Sequence, residues 1–430
     1  MGYLYRNNSS GSGTTATISA WVKCVKTDHD AGVFQFRTDA NNQISFYTNP
    51  VLKFRTYIGS SYSNGDLVNN GRKFRDFAGW YHLVATFDTT NATSGDRLRL
   101  YINGVRQTVF TTANYPSQNY SYTPLVSGQF QLGRYSTGDR PTYLAHVHYC
   151  DGYAYDASAF GSTDSVTGQW NINTAPNVQY GTNGVFLKFG NSGSMGADSS
   201  GNSNTMTISG SCLQTQDNPN NNFCTLDPLT KHASDTVDYG NTKWTAASGV
   251  SYSSIISTLG FNTGKYYAEA KIASASTYYP VVGIASSEAS AYYYQPSNSD
   301  YIGDTVGSAG LFMHGDIQID SSTGSPAPAN YNTGDIVGLA VDLDSATKTL
   351  KLYRNGSIDQ TYTITAPKGF YHFGCSGGGT NSDSIEWNFG NGYFGSTAIT
   401  SEGTNASGIG KFEYDVPAGY TALSTKGLNE

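Results

Sequence analysis

Short stretches of this chain alternate apolar and polar residues, and two of them nearly repeat. Leu98-Arg99-Leu100-Tyr101-Ile102-Asn103-Gly104 returns as Leu350-Lys351-Leu352-Tyr353-Arg354-Asn355-Gly356. A period of two puts Leu98, Leu100 and Ile102 on one face of a strand, with Arg99 and Tyr101 on the other. Asn-Gly accepts positive φ at both central positions, so each copy predicts a tight type I′ hairpin. An apolar stretch precedes each copy, at 80–88 (WYHLVATFD) and at 335–344 (DIVGLAVDLD). Two β-domains on a shared hairpin plan follow.

Further strands are expected at 18–25, 32–36, 44–47, 52–58, 130–132 and 142–149. Residues 151–160 read as a turn-rich exit and 184–189 as a late strand returning to the first domain. The segment 190–231 is rich in Gly, Ser, Asn, Asp and Pro and poor in apolar residues, which reads as a surface loop plus linker. Later strands are expected at 264–272, 280–285, 310–313, 370–374 and 385–389. The tail 412–425 keeps aromatic and apolar residues and is expected to dock. No long stretch carries a 3.6-residue apolar period. The expected fold is all-β: two antiparallel β-sandwich (jelly-roll) domains in tandem, at 1–190 and 236–430, joined by 191–235.

Composition narrows the function. Charged residues make up 13% of the 430, against about 25% in an average soluble protein. Tyr (33) and Gly (49) are abundant, as strands and tight turns require. The net charge of −7 comes with no basic tract, so nucleic acid is not an expected partner. No apolar run is long enough to span a membrane, so no insertion is expected. The first ten residues lack a charged region followed by an apolar one, so no signal peptide is expected, and Arg6 stands where a myristoylation signal requires Ser or Thr. Cys24, Cys150, Cys212, Cys224 and Cys375 are odd in number and widely spread, so they form no disulfide framework. Cys24 and Cys150 fit apolar strands. Cys212 and Cys224 bracket a loop and leave a bridge open as an alternative to reduced thiols.

The first half resembles LamG-like, concanavalin-type jelly-roll domains. The residues that carry this are ISAWVK at 18–23, GWYHLVATFD at 79–88, LRLYINGV at 98–105, YLAHVHYCDGYAYDASAF at 143–160 and the turn DSSGNSN at 198–204. The second half resembles a SPRY-type β-sandwich, through GKYYAEAKI, VVGIA, GDIVGLAVDLD and LKLYRNG in that order, closed by VPAGY at 416–420. With the joining segment DNPNNNFCTLDP at 217–228, the pairing looks like virion structural proteins of tailed bacteriophages, marine ones especially. The resemblance implies a protein on the virion surface, assembled in the host cytoplasm: a short appendage, a tail fibre, a head fibre or a decoration protein. It implies other virion proteins and host surface polysaccharide as partners, and a homo-oligomer.

Concanavalin-type sandwiches also include glycoside hydrolases, which need two carboxylates flanking the scissile bond. The first domain has no Glu; the first in the chain is Glu269. Asp342 and Asp344 form an Asp-x-Asp pair at a strand end, where a turn role is the commoner one. No enzyme is expected. Gly374-Cys375-Ser376-Gly377-Gly378 matches a nucleophile-elbow pattern, but that motif needs a strand-to-helix turn. Gly11-Ser12-Gly13-Thr14-Thr15-Ala16 loosely copies a dinucleotide loop and opens into a strand instead of a helix. His146 and His148 share a strand face without a visible third ligand. Asp198, Asn202 and Asn204 offer side-chain oxygens in a Gly-containing turn. Such loops bind Ca²⁺, and Asx turns use the same residues without an ion; the plain turn is the preferred reading, with no cofactor expected.

The candidate ligand-binding residues are the clustered tyrosines: Tyr278, Tyr279, Tyr292, Tyr293 and Tyr294 in the second domain, and Tyr115, Tyr120 and Tyr122 in the first. A tyrosine ring offers a flat apolar face and a hydroxyl at low entropy cost, which suits sugars and proteins alike. Tyr is also a favoured strand residue, so the same rings fit a core or a subunit interface. The first function reading is glycan binding through sandwich loops. The alternative is a decoration or connector protein whose loops hold neighbouring virion subunits, and a polysaccharide-degrading enzyme ranks below both.

Overall fold

The computed structural model describes residues 2–25, 31–49, 51–140, 142–275, 280–289, 300–364, 368–379 and 382–429. The chain divides into two compact units, Met1–Gln214 and Thr215–Glu430.

The first unit is a sandwich of two antiparallel sheets. One has eight strands, in the order Phe110–Asn114, Asp66–Lys73, Val51–Ile58, Asn42–Asn49, Ala31–Asp39, Gln129–Leu132, Tyr3–Asn7, Thr207–Ser209. The other has six: Val185–Leu187, Tyr143–Asp151, Thr15–Lys23, Tyr81–Asp88, Leu98–Ile102, Val105–Arg106. Their inner faces meet in one core that includes Ile18, Phe34, Phe36, Phe46, Phe54, Phe87, Phe130 and Tyr149.

Burial along single strands tells which outer faces are free. Val51–Ile58 alternates: Leu52, Phe54 and Thr56 are buried, while Lys53, Arg55 and Tyr57 are half-exposed. Thr15–Lys23 is buried at every position after the first. Its Ile18, Ala20 and Val22 face the core. Its Thr17, Ser19, Trp21 and Lys23 lie on the other side, so something must cover them. The cover is a strap formed by the chain after Asp151. Thr17 Oγ1 donates to Tyr153 O and accepts from Tyr155 N, both at 2.8 Å. Thr86 Oγ1 donates to Tyr155 O at 2.6 Å. Trp170 Nε1 donates to His82 Nδ1 at 3.0 Å. The turn-rich exit expected at 151–160 is therefore the start of a strap that seals the six-stranded sheet, with Phe160 and Cys150 buried beneath it.

The second unit is also a two-sheet sandwich. One sheet runs Thr236–Asp238, Lys243–Thr245, Ser384–Asn388, Lys265–Ser274, Ile336–Asp342, Thr349–Arg354, Ser357–Thr363, and Thr421–Ala422 adds to Lys265–Ser274 in parallel. The other runs Val250–Ile256, Tyr371–Gly379, Val281–Ser286, Ser308–Phe312, Ile317–Ile319, Ser322–Thr323. Ile336–Asp342 is buried at all seven positions, because the tail covers the outside of its sheet. Phe412, Val416, Tyr420 and Ala422 pack on Tyr267 and Ala340. The tail docks as expected; each large apolar side chain it buries contributes about 1.5–3 kcal/mol.

The two Asn-Gly repeats form the hairpins the sequence predicts. φ is 46° and 78° at Asn103-Gly104, and 47° and 83° at Asn355-Gly356. In the first hairpin Ile102 pairs with Val105; in the second Arg354 pairs with Ser357. The segment 191–235 is more than a linker. Its Thr207–Ser209 strand closes one edge of the first unit's large sheet against Tyr3–Asn7. Phe223, Cys224 and Leu226 are core residues of the second unit. Apolar residues spaced among Asn and Gly were too sparse to reveal this role.

Candidate functional site

The strap covers the central strands of the six-stranded sheet; among the described residues the outer face of the eight-stranded sheet has no such cover over Val51–Ile58. Strand register lines up its outward side chains in rows. One row runs Asn7, Gln129, Arg37, Gln43, Tyr57 across five strands. The next runs Tyr5, Gln131, Gln35, Ser45, Arg55, Asp66 across six. Neighbouring strands lie about 4.8 Å apart, so each row sets its side chains at close, regular intervals; in the second row Gln131, Gln35, Ser45 and Asp66 are themselves buried.

The rows are tied together. Gln35 Nε2 donates to Gln131 Oε1 at 2.8 Å, Gln131 Nε2 donates to Gln129 Oε1, and Gln129 Nε2 donates to Asn7 Oδ1 at 3.0 Å. Arg55 Nε pairs with Asp66 Oδ1 at 3.0 Å, and its guanidinium lies 4.9 Å from the Tyr62 ring centre. Tyr62 sits 4.8 Å from Tyr57. The short Arg134–Tyr135 and Gly138–Asp139 hairpin lies over one end of the face. Tyr135 packs on Tyr47 at 4.1 Å, and Ser136 N donates to Gln35 Oε1 at 2.8 Å. That hairpin buries Gln35 and Tyr47 and leaves the Arg37 end open. There a shallow open pocket of about 430 Å³ is lined by Asn7, Arg37, Thr38, Asp39, Ser127, Gln129 and Gln131. Two backbone carbonyls hold Arg37: Nε donates to Asp39 O at 3.1 Å and Nη1 to Ser136 O at 3.2 Å. Gln43 Oε1 is buried with no hydrogen-bond partner.

The sequence-derived candidates sit elsewhere. Tyr278, Tyr279, Tyr292, Tyr293 and Tyr294 lie outside the described residues. Tyr122 is a correction: its ring is 0% exposed in the core and its hydroxyl donates to Asn64 O, so it offers a ligand nothing. Burial drives that hydroxyl's pKa far above the ordinary range. The side chain turns inward because the one-turn helix Thr123–Ser127 that follows it buries Leu125 in the same core. Tyr120 is half-buried and accepts from Asn64 Nδ2 at 3.1 Å; Tyr115 also packs against the core.

Asp198 organises its own turn. Oδ1 accepts from Phe186 N at 2.9 Å and Ser200 N at 2.8 Å; Oδ2 accepts from Ser200 Oγ at 2.7 Å and Asn204 N at 2.8 Å. Asn202 Nδ2 donates to Gly181 O at 2.7 Å, and Asn204 Nδ2 to Thr182 O and Gly184 O at 2.9 Å each. Donors surround the carboxylate where a cation's ligand oxygens would need free lone pairs. His146 sits at a β-bulge with φ 45°, and both it and His148 pack on Phe186, at 5.8 and 4.0 Å. Among the described residues no group of three or more His, Cys, Asp or Glu is placed to hold a metal.

Asp342 and Ser376, from the enzyme-like motifs, make structural contacts. Asp342 is a turn cap: Oδ1 accepts from Asp344 N and Ser345 N at 2.9 Å each, and Oδ2 meets Lys265 Nζ at 3.0 Å. Ser376 lies inside the strand Tyr371–Gly379, its hydroxyl 2.8 Å from Ser254 Oγ. Ser19, His82 and Trp170 form a buried chain in which Trp170 can only donate. Nδ1 of His82 is therefore the acceptor, and its proton sits on Nε2, 2.8 Å from Ser19 Oγ. Burial pushes His82 down to about 3, so it is a neutral strut.

Sequence reasoning missed the open face, although its signal is present: Lys53, Arg55 and Tyr57 alternate with Leu52 and Phe54, and Gln129 and Gln131 with Phe130 and Leu132.

The two-sheet sandwich of the first unit is that of a concanavalin A-like domain. Residues 2–148 match the family model Laminin_G_3, the concanavalin A-like lectin/glucanases superfamily. No curated protein matches the chain. Solved SPRY domains are among its structural neighbours. That of human HERC1 is 14% identical, covering 38% of this chain and 96% of its own, with a TM-score of 0.31. Another human SPRY domain is 15% identical, covering 36% and 94%, with a TM-score of 0.28. The TRIM65 PSpry domain is 13% identical, covering 38% and 91%, with a TM-score of 0.30.

Proposed function

We propose that this chain is a non-enzymatic binding protein of a phage virion surface, and that its first sandwich holds host polysaccharide against the open face of the eight-stranded sheet. The row Asn7, Gln129, Arg37, Gln43, Tyr57 carries the reading. Amides and a guanidinium meet sugar hydroxyls with paired donors and acceptors, and tyrosine rings meet the apolar faces of pyranoses. The match to a lectin and glucanase superfamily supports a carbohydrate ligand. No Glu precedes Glu269. The carboxylates on this face are engaged, Asp66 by Arg55 and Asp39 by the N–H groups of Asn41 and Asn42. That supports binding without hydrolysis. The resemblance of the LamG-like and SPRY-like order to phage virion proteins supports the setting, with neighbouring virion proteins as further partners and a homo-oligomeric assembly.

A glycan array that includes host surface polysaccharide, probed with the full chain, tests this reading. Saturable binding that falls at least tenfold in both Tyr57→Ala and Gln129→Ala is expected. Binding unchanged in both variants would move the site off this face. A folded protein that binds no glycan would favour the decoration reading, which Val105 and Val109 support: they are 62% and 64% exposed beside the sheet-edge strand Val105–Arg106.

A further inference from the structure

The amide network on the open face has a direction, and one contact sets it. Ser136 N is a backbone donor, so the oxygen of Gln35 must face it, at 2.8 Å. The Gln35 nitrogen then faces Gln131 Oε1, which turns the Gln131 nitrogen to Gln129 Oε1 and the Gln129 nitrogen to Asn7 Oδ1. Each amide oxygen of the relay accepts one hydrogen bond, Gln35 Oε1 from Ser136 N and the others from the amide before, and the relay ends on the Nδ2 donors of exposed Asn7. Arg37 lines the same pocket. Its Nε and Nη1 are tied to carbonyls, and Nη2 has no partner among the described residues. Asp39 turns its carboxylate onto Asn41 N at 2.7 Å and onto Asn42 Nδ2 at 2.9 and 3.1 Å. Among the described residues Arg37 forms no ion pair, and the pocket sets its Nη2 and the Asn7 Nδ2 donors beside one carboxylate, Asp39, whose oxygens are turned onto Asn41 and Asn42. Lys53, on the same face, also lacks an ion pair among the described residues and lies over the Tyr47 ring. These cations stand on a chain of net charge −7.

We infer that this pocket selects anionic sugars: Arg37 and the donor end of the amide relay at Asn7 take the carboxylate or sulfate of an acidic polysaccharide. A guanidinium held by two carbonyls is already positioned, so little side-chain entropy is lost when it grips an oxyanion. The inference rests on the polysaccharide reading above and adds the ligand's charge.

Affinity electrophoresis of the full chain separates the two. The probes are matched pairs: polygalacturonate against its methyl ester, and dextran sulfate against dextran. At least one charged member is expected to retard the protein at a concentration tenfold or more below that of its neutral partner. Arg37→Gln should abolish the difference and Asn7→Ala reduce it, while Arg106→Gln, which removes a cation paired with Asp96 on the other sheet, should leave it unchanged. A charged pair member that wins by carboxylate alone or by sulfate alone names the source of the anion. Equal retardation by both members of each pair overturns the anionic preference and leaves carbohydrate binding standing. A difference that survives Arg37→Gln overturns the assigned site. No retardation by any polysaccharide, with the protein shown folded, overturns both readings.

Discussion

Asn355 closes its hairpin by accepting the backbone N–H of Ile336 on Oδ1 at 2.9 Å, and its own N–H returns to Ile336 O at 2.9 Å. Asn103 does the same with His82 in the other unit, at 2.8 Å both ways. The repeat thus preserves a clamp between a turn and the strand before it, as well as the turn itself.

Replacing Asn355 should separate the two jobs. Asn355→Gly keeps the positive φ and loses two side-chain bonds, to Ile336 N and to Asp335 Oδ1, at a cost of about 1–2 kcal/mol. Asn355→Ala also strains a left-handed residue, for a total of about 2–3 kcal/mol. Urea unfolding of both variants measures the difference. Equal losses would mean that backbone conformation contributes nothing here.

Burial holds His82 down to about 3 and His148 well below its ordinary value. In the unfolded chain both take a proton near 6.5. Their stabilisation is therefore full above pH 6.5 and is lost as pH falls toward the folded values, by up to about 1.4 kcal/mol per pH unit for each. Thermal melts from pH 7 to pH 4 should show this decline in the first unit. Imidazole resonances assigned to His82 should not titrate between pH 8 and 5; titration near 6.5 would refute its neutral role.

Glu269 behaves in the opposite sense. It is 0% exposed and latches the tail, accepting from Glu413 N and Tyr414 N at 2.9 Å each, Asn388 Nδ2 at 3.1 Å and the Tyr267 hydroxyl at 3.3 Å. Burial raises its carboxyl to about 7 against these donors. The group's stabilising contribution is full below the unfolded value near 4.5 and is lost as pH rises through 7. Glu269→Gln should flatten that pH dependence. It should also leave N–H groups of the tail unpaired, exposing 400–423 to limited proteolysis at least tenfold faster. A variant as resistant as the parent would remove the latch.

Four donors meet the two oxygens of Asp198, so its turn is expected to hold without an ion. Adding Ca²⁺ or EDTA should leave the melting temperature within 1 °C, whereas Asp198→Ala should destabilise by about 2–3 kcal/mol. A melting temperature that rises with Ca²⁺ would restore Asp198, Asn202 and Asn204 as a metal site.

What was legible follows the range of the interactions. The strands around Phe46, Phe54, Leu100 and Leu352 could be read because alternation is local, and the hairpins because Asn-Gly acts within four residues. Tyr122 in Ser121-Tyr122-Thr123 and Tyr57 in Thr56-Tyr57-Ile58 give little in sequence to tell them apart. One is a core ring and the other stands on the open face, because the neighbouring chain decides which way each turns.

The sequence by itself determined two β-sandwich halves, their tight turns and the alternation that gives each strand an apolar side. It did not determine which polar side stays open. Thr17, Ser19, Trp21 and Lys23 alternate with core residues just as Lys53, Arg55 and Tyr57 do, yet a strap from beyond Asp151 covers the first row and not the second. That choice rests on hydrogen bonds between residues more than a hundred positions apart, such as Thr17 to Tyr153. Only the closed tertiary structure brings such partners together.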